Sequence, residues 1–398
     1  MANTLLTPQA ITREALRILH QKLNFIGNIN RQYDDSFAKS GAKIGDSLRI
    51  RLPNQYTVRS GATLQAQDTT ERSTTLQINN QKGVDLNFSS AELTLSLDDF
   101  SKRIIEPAMA QLAATMEADA LTMALDVYNN VNNVGSAISF NKVMAARKVL
   151  NDCLAPMDDS RSIILNTQDN LDLVDGLKGL FHDSAAVRQQ YKEGSMGRTG
   201  GFDFYENTLL GSQATGTAAA TTGYTVNGAV TANGSSTVTL ATGSTTFKKG
   251  DIISFAGCNR VHPETKVDAG VAHQFVVTAD YAGGAGVLSI SPPIYTSTGY
   301  QNVTASGIPN GAAVTKVGGA SSIYRPSLAF HKDAFTFATA DLVMPNNAEF
   351  GSREVYDGIS MRIVRQYDIN NDAFPCRLDV LYGFKTIRPQ LACRILSN

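Results

Sequence analysis

The sequence predicts an α+β protein interrupted by an all-β insertion. Three observations lead there. Residues 98–131 (DDFSKRIIEPAMAQLAATMEADALTMALDVYNNV) sustain a helical period, short period-two runs stand on both sides of them, and residues 212–247 contain no Asp, Glu, Lys or Arg. The 398 residues suffice for two or three domains, and 42% apolar content is that of an ordinary folded chain. Lys and Arg number 35 against 36 Asp and Glu, a formal net charge of -1, which excludes the basic footprint of a dedicated nucleic-acid binder. Cys153, Cys258, Cys376 and Cys393 show no CxxC spacing and read as reduced, mostly buried small hydrophobes of a chain folded in a cytoplasm.

The N-terminus, MANTLLTPQAITREALRIL, has no basic stretch followed by a continuous apolar one and is not read as a signal peptide; no window is apolar enough for a membrane span. Thr7 and Pro8 form an N-cap and first-turn proline, after which Ile11, Ala15, Ile18, Leu19, Leu23 and Ile26 make one apolar stripe ending at Gly27. Such a helix either docks on its own domain or serves as an arm against a neighbouring subunit. From Asp46 the period becomes two: Leu48, Ile50 and Leu52 alternate with Ser47, Arg49 and Arg51, and a second segment carries Leu76, Ile78, Val84, Leu86 and Phe88. Two strands are implied. The residues between them, 59–72 (RSGATLQAQDTTER), are too polar to bury and long for a hairpin connection. They describe either a two-stranded tongue resting its flank on another copy of the chain or an ordinary mobile hairpin.

The run at 98–131 is the spine. Asp98 and Asp99 are N-cap candidates, and Ile105, Met109, Leu112, Met116, Met123 and Val127 recur at helical spacing. A helix of that length would reach roughly 45–50 Å. Pro107 falls inside it and predicts a kink, or a short leading helix joined to a longer one. Residues 141–154 read as a further helix with Val143, Ala146, Val149 and Leu150 on one side, 162–165 (SIIL) as a buried strand, 171–181 (LDLVDGLKGLF) as a short helix and 194–201 (GSMGRTGG) as a flexible loop.

The uncharged segments 212–247 and 281–315 flank FKKGDIISFAG (247–257) and HQFVVTA (273–279). These have the short alternating runs and glycine turns of small antiparallel strands, which places the insertion at about 212–318. Mixed character returns with Leu328, Phe330, Phe335 and Phe337, then MRIV at 361–364. From Leu378, LDVLYGFKTIRPQLACRI is nearly continuous in apolar residues, as a central strand pair rejoining the interrupted sheet would be.

No catalytic motif emerges. There is no GxGxxG after a strand, GxxxxGK[ST], HExxH or GxSxG. His262 and His273 with Glu264 and Cys258 match no metal-ligand spacing. Asp158, Asp159, Asp169, Asp172 and Asp175 could supply paired carboxylates, but helix caps and solvated loop charges explain them more simply. Lys248-Lys249-Gly250-Asp251, preceding IISF, reads as a turn rather than a phosphate loop. No catalytic, cofactor-binding or metal residue is assigned, and the chain is not expected to be an enzyme.

The N-terminal arm, long tongue, spine helix and α+β domain completed by the C-terminus together resemble the major capsid proteins of tailed bacteriophages, with the Hong Kong 97 (HK97) fold. FKKGDIISFAG is similar to a segment of the extra β-barrel domain of short-tailed Salmonella-phage coat proteins, and SLAFHKDAFTFATADLVMP (327–345) resembles the return from that insertion. The resemblance spans essentially the whole chain. It implies an N-terminal arm at 1–43, the tongue or E-loop hairpin at 44–90, a P-domain with the spine helix at 91–140 and the first part of an A-domain at 141–211. The inserted barrel-like domain would take 212–318, and 319–398 would complete the A- and P-domains.

The role implied is structural. Many copies, as hexamers and pentamers, would close into an icosahedral shell around packaged double-stranded DNA, without sequence-specific binding and with no cofactor or membrane. Assembly in the host bacterial cytoplasm would start from a procapsid built with scaffolding protein and a portal, and a decoration protein is a further partner. Subunit contacts would come from the tongue tip, Val58, Arg59, Ser60, Gly61, Ala62 and Thr63, and from the arm residues Ile11, Ala15 and Ile18. Some relatives crosslink through a tongue lysine, but residues 55–81 contain none, so no crosslinking is expected. The long charged loop of the Salmonella-phage barrel is expected to be absent, because 212–247 is uncharged. Two alternatives stand beside this reading. One is an encapsulin-like compartment shell, disfavoured by the insertion; the other is an enzyme or carbohydrate-binding protein holding its ligand in the barrel, which would need convergent polar and aromatic groups.

Overall fold

Pro8 opens the N-terminal helix, Pro8–Lys22, at the position where a missing N–H costs nothing and φ is already helical. The computed structural model describes residues 8–34, 47–59, 61–64, 66–68, 71–88, 104–177, 197–241, 243–345, 350–369 and 374–397; the cap candidates Thr7, Asp98 and Asp99 lie outside them. The chain divides into two units. The first comprises Met1–Arg51, Ser73–Leu121 and Phe335–Ile387, the second Leu52–Arg72, Thr122–Ala334 and Arg388–Asn398.

In the first unit the long strand Phe374–Thr386 organises a six-stranded sheet. Its register gives Leu378 both Val84 and Ile363 as partners, and Leu381 both Gln81 and Ala340. Asn80–Phe88 therefore occupies one edge, while Ile359–Arg365 and Phe335–Ala340 follow each other along the opposite edge. Asn30–Asp34 adds in parallel to Phe335–Ala340, and Phe350–Tyr356 pairs with Ile359–Arg365. The N-terminal helix rests on the last two strands and on the spine helix. Its stripe is covered there, with Leu16 joining the predicted set as a buried residue.

The second alternating segment proves to be two strands. Ser73–Gln77 pairs with Ser47–Arg51 to make the tongue's root, with Leu48 opposite Leu76, whereas Asn80–Phe88 leaves for the long strand. Leu76 and Ile78 are buried with Ala338, Ala340 and Leu381, and Leu48 and Ile50 pack against them. One face of the root is thus anchored, which an isolated two-stranded ribbon lacks.

The spine ends earlier than its periodicity predicts. Its α-helix runs Glu106–Leu121, about 24 Å at the usual rise per residue, and continues as a 3-10 turn, Thr122–Asp126. Pro107 is the second residue of this α-helical part and follows helical residues 104 and 105, and the segment leading into them lies outside the described residues. The stripe residues Ile105, Met109, Leu112, Met116, Met123 and Val127 are all buried, and Gln111 and Thr115 are exposed. The apolar pattern outlasts the helix because the next residues are captured by the C-terminus. Asn130–Asn132 pairs in parallel with Ala392–Leu396, and the Asn129 amide donates to the Ala392 carbonyl at 3.1 Å.

The second unit holds a six-stranded sheet in which three of the four interior strands, Arg161–Leu165, Ser327–His331 and Ala392–Leu396, are buried throughout. The apolar tail is therefore not one strand pair. Its first part enters the sheet of the first unit, a 3-10 turn at Pro389–Leu391 breaks it, and its last part rejoins the sheet that the insertion interrupted. Phe140–Asp152 is helical as expected. The helix after the buried strand begins earlier than its apolar pattern, as Thr167–Leu177, because the Asn166 side chain accepts the Asp169 N–H at 2.7 Å and donates to the Asp169 carboxylate at 2.9 Å. At the end of the predicted flexible loop, Gly200 and Gly201 (φ +60° and +83°) instead turn a tight hairpin between Arg198–Thr199 and Phe202–Glu206.

The insertion is a closed six-stranded barrel, ordered Thr221–Val226, Ser235–Ala241, Gly286–Ile294, Asp268–Val277, Ile252–Val261 and Ala313–Lys316. Tyr224, Phe247, Phe255, Phe275 and Leu288 are buried in its core. A barrel this narrow is filled by its own side chains, as the Phe255–Phe275 contact at 5.5 Å between ring centroids illustrates.

Candidate assembly surface

The tongue tip is the most exposed apolar part of the described chain. Val58 is 96% and Leu64 83% exposed. Fully burying such a side chain would gain about 1.5–3 kcal/mol. Arg59, Gly61, Ala62 and Thr63 are exposed as well, and Ser60 lies outside the described residues. The tip is shaped by its own polar groups. The Gln67 side chain accepts the Thr57 N–H and hydroxyl, both at 2.9 Å, and donates back to the Thr57 carbonyl at 2.5 Å. Gly61, at φ +89°, makes the turn that lets the Arg59 guanidinium donate to the Gly61 carbonyl.

The predicted arm contacts are placed differently. Ile11, Ala15 and Ile18 are 7%, 0% and 4% exposed within the first unit, so a single subunit already covers them. The arm is secured by a group that sequence reasoning missed. Glu117 of the spine, 1% exposed, accepts the Phe25 N–H and, at 3.2 Å, the Ile26 N–H, amides at the start of a helical turn.

In the second unit the KKGD segment is a turn, as expected, but a buried charged one. Asp251 accepts the Lys248 and Gly216 N–H groups at 2.9 and 3.0 Å; burial pulls its pKa up against those bonds. Arg394, wholly buried in the tail strand, donates to the Gln213 side chain at 2.8 Å and to the Gly250 carbonyl at 2.9 Å, and burial lowers its pKa to about 10. Lys316 donates to the Gly216 and Gly319 carbonyls at 3.2 and 2.9 Å, its pKa lowered by burial. The last barrel strand, the KKGD turn and the sheet are thereby tied in one joint. A lone Arg inside the apolar LACRIL run was the available signal.

The remaining titratable residues occupy separate structural roles. Asp158 pairs with the buried His331 at 3.1 Å, Asp159 with Arg198 at 2.8 Å, and Asp169 accepts the Ser327 hydroxyl at 2.5 Å, its pKa raised by burial. His262 accepts backbone N–H groups in its own turn, Cys258 sits in the barrel core with its thiol pushed up to about 12 by burial, and His273 lies between aromatic rings. Among the described residues no three His, Cys, Asp or Glu side chains gather as a metal site requires, and no helix is long and apolar enough to cross a membrane. Arg260, Glu264, Lys266 and Asp268 gather charge at one hairpin end of the barrel, a stretch beyond the uncharged segment from which a charged projection was expected to be absent.

The polar groups described above are committed to joints, the barrel is filled by its own core, and the apolar tongue tip is exposed. The sequence profile of the P22 coat protein, gene protein 5, matches residues 30–395, and the chain belongs to that coat-protein family. It is a phage capsid protein, forming the head shell. No curated protein sequence matches it. Similar solved structures include Mycobacterium phage Che8 (14% identity, 94% of this chain and 90% of that one, TM-score 0.46). The mature capsid of bacteriophage PhiM1 (9%, 94% and 87%, 0.46) and the head of Helicobacter pylori bacteriophage KHP40 (12%, 89% and 85%, 0.43) also match. The assignment rests on the family match.

Proposed function

We propose that the tongue of each subunit lays Val58 and Leu64, with Arg59 to Thr63 between them, on a neighbouring copy, and that hexamers and pentamers so linked close into an icosahedral shell around double-stranded DNA. The exposure of the tongue tip carries this reading. Each overlap is moderate, and strength comes from repeating it around the shell. The division into arm, tongue, P-domain, two-part A-domain and inserted barrel drawn from the sequence is the architecture proposed. With Ile11, Ala15 and Ile18 covered internally, any arm contact with a neighbour runs through the opposite helix face, where Arg13 and Arg17 are exposed. The formal net charge of -1 suits a wall that confines DNA without gripping it. Scaffolding protein, a portal and a decoration protein are the proposed partners, with assembly in the host cytoplasm and no enzymatic activity.

The double variant Val58→Asp, Leu64→Asp tests the tongue. Both side chains are exposed, so the subunit should fold with unchanged stability and yet assemble poorly, as read by sedimentation and electron microscopy. Normal shells from this variant would refute the contact.

A further inference from the structure

We propose that the loop at 295–302 of the inserted barrel is a seat for the tongue stem of the same chain, so that the barrel sets the direction in which the tongue presents its tip. The two stretches belong to the same unit. Arg72, at the end of the stem, holds its guanidinium over the Tyr300 ring at 4.6 Å and the Tyr295 ring at 5.4 Å, a cation placed against two aromatic faces. The Leu52 N–H donates to the Arg72 carbonyl at 2.8 Å, so fixing Arg72 fixes both arms of the stem.

Backbone meets backbone beside this pair. A Cβ built on Gly299 would stand 2.5 Å from the Gln55 carbonyl oxygen, so the stem approaches the loop as closely as only glycine permits. The neighbouring Thr298 holds φ +76°, a conformation that a β-branched residue adopts only when its surroundings impose it. Those surroundings are specific. The Asn302 side chain accepts the Tyr295 N–H and donates to the Pro293 carbonyl, each at 2.8 Å, while the Asn233 side chain accepts the Thr296 N–H at 2.9 Å and donates to the Ser297 hydroxyl at 2.8 Å. A loop pinned from both sides, strained at one residue and bare of side chain at the contact is a prepared surface. The seat itself does not depend on the shell reading; its consequence for shell geometry does.

Amide hydrogen exchange on the full-length, unassembled subunit tests the seat. Arg72→Ala leaves the barrel sequence untouched, and Gly299→Val blocks the approach from the barrel side. Both should speed exchange of residues 52–68 about five- to thirty-fold, the range expected for losing a cation held over two rings. Exchange in the barrel strands 252–277 should not change, and Arg72→Lys should retain part of the protection, since an ammonium keeps the charge but not the planar stacking. Unchanged exchange at 52–68 in both variants, or equal acceleration of tongue and barrel in Arg72→Ala, would overturn the proposal. Val58→Asp, Leu64→Asp should leave the exchange of 52–68 near the wild-type rate, which separates failure of the seat from failure of the subunit contact.

Discussion

Mild acid should weaken the subunit through one histidine. His273 is closed between the Tyr128 and Phe275 rings, at 5.5 and 4.6 Å, and its Nδ1–H donates to the Gln274 carbonyl at 2.7 Å. The charge bearing on it is Arg260, itself paired with Asp152 at 2.6 Å. Burial holds the ring neutral, down to about 4 from an ordinary 6.5. The unfolded chain therefore takes up the proton first, so the contribution is fully present above about pH 6.5 and is lost as pH falls towards 4. At about 1.4 kcal/mol per pH unit the full loss is about 3 kcal/mol, with about 2 kcal/mol of it between about pH 7 and about pH 5. Asp169 and Asp251, raised by burial, favour the folded state as pH falls, so the overall profile does not isolate the effect. The difference between wild type and His273→Phe does. Urea unfolding followed by circular dichroism should show the wild type losing about 2 kcal/mol more than the variant over that interval. Equal losses would refute the account of a neutral, ring-enclosed histidine.

Three further outcomes follow from buried contacts. Arg394→Met strips donors from Gly250 and Gln213 and a cation from beside Asp251, and should cost about 3–5 kcal/mol in urea unfolding, with Arg394→Lys in between. Glu117→Ala leaves the Phe25 and Ile26 amides without their acceptor and should cost about 2–4 kcal/mol, whereas Glu117→Gln, which keeps an acceptor, should cost less. Gly383→Ala puts a methyl group 2.1 Å from the Gln77 carbonyl oxygen; the tongue root must shift, costing about 1–3 kcal/mol and speeding amide exchange at Leu76.

Local pattern announced most elements, and long-range pairing decided where they end. The spine stripe from Ile105 to Val127 is buried as its spacing requires, yet the helix stops because the C-terminal strand claims Asn130–Asn132. The alternation through Leu76 and Leu86 is continuous in sequence, but its two halves find different partners, Ser47–Arg51 and Phe374–Thr386. Period-two patterning says which side chains face inward, not which strand lies alongside. The uncharged, Val- and Tyr-containing segments did announce a barrel. Its joint with the sheet was less legible, because Asp251 and Arg394 look like a turn residue and an interruption until the fold brings them together. The tongue's exposed tip was readable from polarity. Its seat depends on Arg72 meeting Tyr295 and Tyr300, residues whose spacing carries no local period.

Electron cryomicroscopy of particles assembled from the purified subunit, alone and with a scaffolding protein, tests the central claim most directly. Closed icosahedral shells in which the next subunit covers Val58 and Leu64 are the predicted result. A subunit that stays monomeric under every condition, or shells in which the tongue tips remain bare, would contradict it.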